Sequence, residues 1–279
     1  MRLINAQTMV LDEFFDDDLP KYVILSHTWG KDEILYHDMG KTPPSTKSGY
    51  TKITTTCRLA LEMDIPYVWV DTCCIDKTSS AELTESINSM FDWYARSTVC
   101  VVWLSDFEPD TEFKDGIDKC LWVFRGWTLQ ELIAPSTIIF YDKSWTYRGT
   151  KSELSQELSE ATLAARRKTT RVEDEAYCLL GIMEVNMPLI YGEKAMAFRR
   201  LQEEIIKRSN DITVFAWNPI CTEPTHGRHS HCSLLAPSPA NFLHSGSIVA
   251  FNLRRYNPEF LLTNKGIRRE ECNSQFQDA

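Results

Sequence analysis

The sequence predicts an α/β protein in which a doubly wound, largely parallel sheet is flanked by helices. Three observations lead there. Short, near-continuous apolar runs recur at 22–26, 67–71, 98–104 and 137–141, as expected of strands buried on both faces. Stretches with helical periodicity separate them, so strand and helix alternate four times. The chain has 279 residues and is 43% apolar, enough to bury a substantial core.

The elements follow in order. Leu3-Ile4 is a short apolar run that leads to an acidic turn at Asp16–Asp18. Tyr22-Val-Ile-Leu-Ser26 reads as a buried strand ended by His27-Thr-Trp29-Gly30, and residues 30–49, with Pro43-Pro44, read as a long loop. From Tyr50 to Asp64, Ile53, Cys57, Ala60 and Leu61 recur at helical spacing, and Tyr67–Asp71 is the second strand. Ser79-x-x-Glu82 has the form of a capping box, opening a helix whose stripe is Leu83, Ile87, Met90 and Tyr94. Thr98–Leu104 is the third strand, 121–133 a helix stopped near Pro135, and Thr137–Tyr141 the fourth strand. Beyond Asp142 the pattern turns helical at 151–163, 172–181 and 193–208, the last with Phe198, Leu201 and Ile205 on one stripe. Thr213–Trp217 reads as a further strand, and after Pro219 a loop-rich segment carries two short strand-like pieces near 247–253 and 259–263. The domain organisation expected is an α/β core over 1–145, a helical part over 146–217 and a partial loop and β segment over 218–279.

Charge and composition narrow the function classes. Thirty basic against 39 acidic side chains give −9 and a pI near 5.2, which argues against a general nucleic-acid binder. No 18-residue apolar run and no apolar leader follow Met1, so the expectation is a cytoplasmic protein without a membrane span. Nine cysteines, mostly inside apolar runs, read as reduced core thiols.

In a flavodoxin-like strand order, ligands gather at the carboxyl ends of the first and third strands, where the topology switches. The loops there are Ser26–Gly30 and Ser105-Asp106-Phe107, and the helix carrying Glu131 starts after the second of them. Trp127 and Glu131 stand four apart, so one helix would place an indole beside a lone carboxylate and partly desolvate it. The same spacing equally suits a core tryptophan and a solvated or capping acid. Asp71 and Cys73-Cys74 end the second strand in the same crevice direction, and Cys74 with His27 would make a thiol nucleophile pair, although nothing in the sequence orients a base and buried inert thiols are common. Glu82 is explained by its capping box. Cys221, His226, His229, His231 and Cys232 are soft metal ligands, but their spacing matches no closed site and suits a polar loop; no metal is expected. The basic spots at Arg166–Lys168, Arg171 and Arg199-Arg200 read as solvated faces paired with nearby acids such as Glu173, Asp174 and Glu203.

Four blocks in order carry a family resemblance: Tyr22-Val-Ile-Leu-Ser-His-Thr-Trp-Gly30, Tyr67-Val-Trp-Val-Asp-Thr-Cys-Cys-Ile-Asp-Lys77, Arg125-Gly-Trp-Thr-Leu-Gln-Glu-Leu132 and Thr170-Arg-Val-Glu-Asp-Glu-Ala-Tyr-Cys-Leu-Leu-Gly181. From Arg2 to about Trp217 the chain resembles the fungal heterokaryon-incompatibility (HET) domain family, whose members trigger cell death when genetically different hyphae fuse. Leu234–Pro239 and Leu262–Gly266 look like the segment that often follows that domain. Against the family pattern, the stretch between Ala161 and Lys168 is short and lacks a Met-Ser-Trp-Ala piece, and the end at Ala279 reads as a truncated copy.

The HET domain is in turn similar to the TIR domain, a flavodoxin-like sheet some of whose members cleave NAD. The TIR pattern Trp-Cys-x-x-Glu-Leu before a strand is matched by Trp127-Thr-Leu-Gln-Glu131-Leu132. What this implies is a carboxylate, Glu131, stabilising an oxocarbenium-like ribose as the nicotinamide bond breaks. Ser26, His27, Trp29, Gly30, Asp71, Asp106, Arg125 and Trp127 are the binding residues expected around it, with Trp29 or Trp127 stacking on a ring. NAD would then be substrate, and no cofactor is expected. The resemblance further implies a homo-oligomer formed through TIR-like surfaces, with a partner or sensor that the sequence does not identify. The alternative is a non-enzymatic module that recruits cell-death partners through the same surfaces.

Overall fold

Apolar strands with both faces buried must sit inside a sheet covered on each side, and that is the arrangement found. The computed structural model describes residues 1–15, 18–40, 46–161, 167–209, 211–218, 233–245, 260–263 and 266–269. The chain forms two compact units, residues 1–163 with 167–169, and residues 164–166 with 170–279.

The first unit runs β1 (Arg2–Asn5), β2 (Leu11–Glu13), β3 (Tyr22–His27), α1 (Tyr36–Met39), α2 (Ser48–Glu62), β4 (Tyr67–Trp69), α3 (Ser80–Arg96), β5 (Val99–Trp103), α4 (Phe113–Gly116), α5 (Leu121–Phe124), α6 (Thr128–Ile133), β6 (Ile138–Tyr141), β7 (Tyr147–Thr150) and α7 (Ser155–Ala161). Its strands form one seven-stranded sheet in the order β2-β1-β4-β3-β5-β6-β7. The four central strands β4, β3, β5 and β6 are parallel, and β2, β1 and β7 extend the ends antiparallel. Taking the parallel strands in chain order, they lie as second, first, third, fourth, the flavodoxin-like arrangement. The chain leaves β3 for β4 on one side and then returns past it to β5 on the other. Right-handed crossovers in opposite directions put α2 and α3 on opposite faces.

β3 is buried along its whole length, and Leu3, Ile4, Val68, Val101, Val102 and Phe140 complete a core shared by all the central strands. Trp69 packs edge-on against Trp93 and Tyr94 of α3. The six described cysteines, Cys57, Cys73, Cys74, Cys100, Cys120 and Cys178, are buried free thiols in keeping with the reduced-core reading. Helix α3 opens as expected, Ser79 Oγ accepting from Glu82 N at 3.3 Å. The return half of the capping box is absent: Glu82 instead accepts from the Asp76 N–H at 2.7 Å and pairs with Arg2.

Several elements depart from the sequence expectation. The hairpin β1–β2 and the strand β7 were too short and too polar to register as apolar runs. The helix expected over 121–133 is two pieces, because Arg125 is extended and the chain there pairs with Lys168: Lys168 N donates to Phe124 O at 2.6 Å and Gly126 N to Lys168 O at 2.9 Å. These bonds take donors and acceptors that a continuous helix would use.

In the second unit, α8 (Asp174–Tyr177) is much shorter than the helix expected over 172–181, and α9 (Met196–Arg208) is the main element. The strand expected at 213–217 is a 3-10 turn over Ile212–Phe215, capped by Asp211 Oδ1 accepting from Thr213 N at 2.8 Å, a local bond that overrides β propensity. Buried Gln202 exchanges two 2.9 Å bonds with the Ala236 backbone. β8 (Phe260–Thr263) and β9 (Gly266–Arg269) form an antiparallel pair, the first of which matches the piece expected near 259–263. The piece expected at 247–253 and the Cys/His stretch 221–232 lie outside the described residues. Among the described residues no helix is long and apolar enough to cross a membrane, and no three His, Cys, Asp or Glu side chains group as metal ligands.

Candidate active site

β3 ends in Ser26-His27, and alternation along a strand sends two successive side chains to opposite faces of the sheet. Each begins a separate polar cluster.

On the side of α3 and α6, Ser26 Oγ donates to Glu131 Oε2 and accepts from Trp122 Nε1 at 2.7 Å. Glu131 stands in α6 with its backbone against β5, where the Cys100 thiol reaches its carbonyl. Only 8% of Glu131 is exposed. Burial pushes its carboxyl up to about 7, opposed by the Ser26 hydrogen bond and by the Arg125 charge. Tyr94 borders the same acid, and burial raises its phenol well above the usual range.

On the side of α2, His27 Nδ1 lies 3.1 Å from Lys52 Nζ and 3.2 Å from the Thr28 carbonyl, while Nε2 lies 3.2 Å from Asp71 Oδ1. An ammonium can only donate, so Nδ1 is the acceptor, and Nε2 carries the proton and donates to Asp71. Lys52 is itself buried and paired with buried Glu33, which also accepts from the Gly30 N–H. Asp71 takes a second bond from Trp29 Nε1 at 2.8 Å, and Lys77 Nζ stands 3.7 Å from its Oδ2. Burial alone would raise the Asp71 carboxyl, but Lys77, His27 and Trp29 outweigh it and hold it well below the usual carboxylate range. Trp29 remains 47% exposed, with Lys77 Nζ 3.6 Å and the Arg125 guanidinium 6.0 Å from its ring centroid.

Of the residues singled out in the sequence, Ser26 and Glu131 meet in the first cluster, and His27, Trp29, Gly30 and Asp71 meet in the second. Arg125 lies between them, close to Trp29 and acting on Glu131 through its charge. Asp106 stands apart from both, accepting from the Leu121 N–H at 2.8 Å and so closing the start of α5. Trp127 packs partly buried against the core at the start of α6. The indole joined to Glu131, through Ser26, belongs to Trp122. Sequence spacing missed it because the break at 125–127 separates Trp122 from the periodicity of α6. Lys52, Glu33 and Tyr94 were missed as well, being far from their partners along the chain, and so was Lys77, although it shares the 67–77 block with Asp71. Cys74 is not poised as a nucleophile toward His27: its sulfur accepts from the Val70 N–H at 3.4 Å, and both ring nitrogens of His27 are engaged elsewhere. In the second unit, the acids of the 170–181 block brace a loop. Glu173 accepts from Gly192 N and Lys194 N, Asp174 accepts from Tyr191 OH, and Arg171 covers the Tyr191 ring.

Comparison with known proteins agrees with the resemblance read from the four blocks. The family described as heterokaryon incompatibility protein (HET) matches residues 22–119, and a domain of unknown function, DUF8212, matches residues 196–272. The chain is similar to the vegetative incompatibility protein HET-E-1 of Podospora anserina, with 41% identity over 221 residues. That match covers 68% of this chain but only 16% of the relative, so the chain spans about a sixth of the relative's length. No solved structure matches. Residues 22–119, from β3 through the turn that follows α4, are thus a HET domain, and the chain belongs among the HET-domain proteins.

Proposed function

We propose that this chain is an effector of heterokaryon incompatibility and cell death that hydrolyses NAD when clustered, with Glu131 at the reacting centre. The observation that carries the reading is the placement of Glu131: a buried carboxyl near the carboxyl end of β3, bonded to Ser26 and raised to about 7. Strongly perturbed carboxyls at that end of a doubly wound sheet are where catalysis concentrates. In the reaction the bond from ribose C1 to the nicotinamide nitrogen breaks and its electron pair leaves with the neutral pyridine. Ionised Glu131 steadies the developing oxocarbenium ion, and water then adds to C1 and gives up a proton. Ser26 orients the carboxylate, while Trp29 and the Arg125 guanidinium, 6.0 Å apart, stand near one another at the sheet edge.

The near-complete burial of Glu131, with one oxygen already bonded to Ser26, favours a site that opens on assembly; it is also the feature that a purely recruiting module would show. Glu131→Gln separates the two. If artificially oligomerised wild-type protein consumes NAD and the variant does not, the hydrolase reading stands. Unchanged NAD in the wild-type sample, or cell killing undiminished by the variant, replaces it with recruitment.

A further inference from the structure

Resting on the nucleotide reading above, we propose that Lys77 and Arg125 form a diphosphate clamp against the indole of Trp29, so that the substrate class is an aromatic nucleoside joined through a diphosphate. Three features of the α2-side cluster carry this. First, the Trp29 ring is fixed and yet available: its N–H is tied to Asp71 at 2.8 Å, while nearly half of the residue faces solvent. A ring pinned at its edge with an open surface is suited to stacking. Second, two cations border that ring with donors to spare. Among the described residues the buried Lys77 amine has no hydrogen-bond acceptor, and its ion pair with Asp71, at 3.7 Å, is too long for a hydrogen bond. Among the described residues Arg125 makes its hydrogen bonds through its backbone, the carbonyl accepting from Thr128 Oγ1 and from Arg167, and its guanidinium has donors available to a ligand. Third, both cations stand on loops at the carboxyl edge of the parallel strands, Lys77 after β4 and Arg125 between α5 and α6.

The charges fit an anion rather than a neutral ligand. Asp71 is already shared among His27, Trp29 and Lys77, so a phosphate does not have to displace it. Burial lowers the Lys77 amine against the pull of Asp71, and an arriving phosphate restores the stability of its charged form. Arg125 also acts on Glu131 through its charge, so the proposed clamp lies within electrostatic reach of that carboxyl.

The test is titration of the oligomerised full chain with ADP-ribose, adenosine and inorganic pyrophosphate, followed by calorimetry and by tryptophan fluorescence. ADP-ribose should bind wild-type protein more tightly than either fragment. Lys77→Met removes the charge over the ring while keeping an unbranched side chain, and Arg125→Gln leaves the backbone bonds in place; each should weaken ADP-ribose about tenfold or more, the scale of one charge-assisted contact, without changing adenosine. Lys77→Arg should restore most of the affinity. The clamp is overturned if both neutral variants bind ADP-ribose like wild type, if adenosine alone matches ADP-ribose, if pyrophosphate alone matches it and leaves the indole no part, or if ADP-ribose does not bind. Should Lys77→Met fail to fold by circular dichroism, Arg125→Gln decides. The outcome is separable from hydrolysis: unchanged NAD with charge-dependent ADP-ribose binding removes only the reaction, and NAD consumption with charge-independent binding removes only the clamp.

Discussion

Glu131→Gln should make the folded protein more stable at alkaline pH, and by an amount that the structure sets. A buried carboxyl whose pKa rises on folding binds its proton more tightly in the native state than in the unfolded chain. Below pH 4.5 the acid is protonated in both states and costs nothing. Between 4.5 and about 7 the unfolded chain releases its proton first, so stability falls as pH rises; above about 7 the loss is complete and constant. At about 1.4 kcal/mol per unit, a shift of that size corresponds to roughly 3 kcal/mol. Gln cannot ionise, and its Oε1 still accepts from Ser26, so the variant keeps the bond and loses the penalty. In a chain this size roughly 3 kcal/mol raises Tm by about 5–10 °C. Urea denaturation of both proteins from pH 4.5 to 8.5 should give curves that nearly coincide at the acid end and separate steadily until just above neutrality. Two parallel curves, or a variant less stable than wild type at pH 8.5, would show that the carboxyl is not held above its ordinary range and would remove the physical basis for treating it as a tuned group.

Two further outcomes follow from the cluster on the opposite face. Lys52→Met should lower stability by roughly 3–5 kcal/mol, because it strands the buried Glu33 carboxylate and leaves His27 Nδ1 without its donor; Lys52→Met combined with Glu33→Gln should recover most of that loss in urea denaturation, and a double variant no more stable than the single one refutes the pairing. Gly49→Ala should cost about 1–3 kcal/mol, since a Cβ there would fall 2.8 Å from the Ile34 nitrogen and 2.9 Å from the Asp32 oxygen, both backbone atoms that cannot rotate away; an unchanged denaturation midpoint contradicts the close approach.

The central strands were legible because each is a run of four to six apolar residues, a pattern that a sheet covered on both faces accommodates. Their order was legible only as a consequence of alternation with helices. The edges were not: Leu11–Glu13 and Tyr147–Thr150 carry a single periodic turn of information each, and their strand character comes from pairing with β1 and β6. The acid at position 131 was found from its helix and the strand after it, but the second indole joined to it through Ser26 was not. Helical spacing points to Trp127; Trp122 reaches Glu131 only through Ser26, and the extended Arg125 separates it from the periodicity of α6. The ion pair of Lys52 with Glu33 joins residues 19 apart that share no motif, so no local pattern announces it.

The two clusters differ in the direction in which each tunes its acid. Glu131 is raised by burial and Asp71 is lowered by the Lys77 charge and by its two donors, His27 and Trp29, so near neutral pH one carboxyl exchanges its proton readily while the other stays charged. Environments that push two carboxyls apart in this way divide the labour of acid and fixed charge. Here the division runs across the sheet edge, since Ser26 and His27 deliver one cluster to each face. A small sugar would reach only one of them. On the dinucleotide reading proposed above, a ligand with a ribose at one end and an aromatic nucleoside at the other, joined by a charged linker, would extend from Glu131 past Arg125 to Trp29, and that reading gives both halves of the constellation a role where a simple glycoside would leave the Trp29, Lys77 and Asp71 group without one.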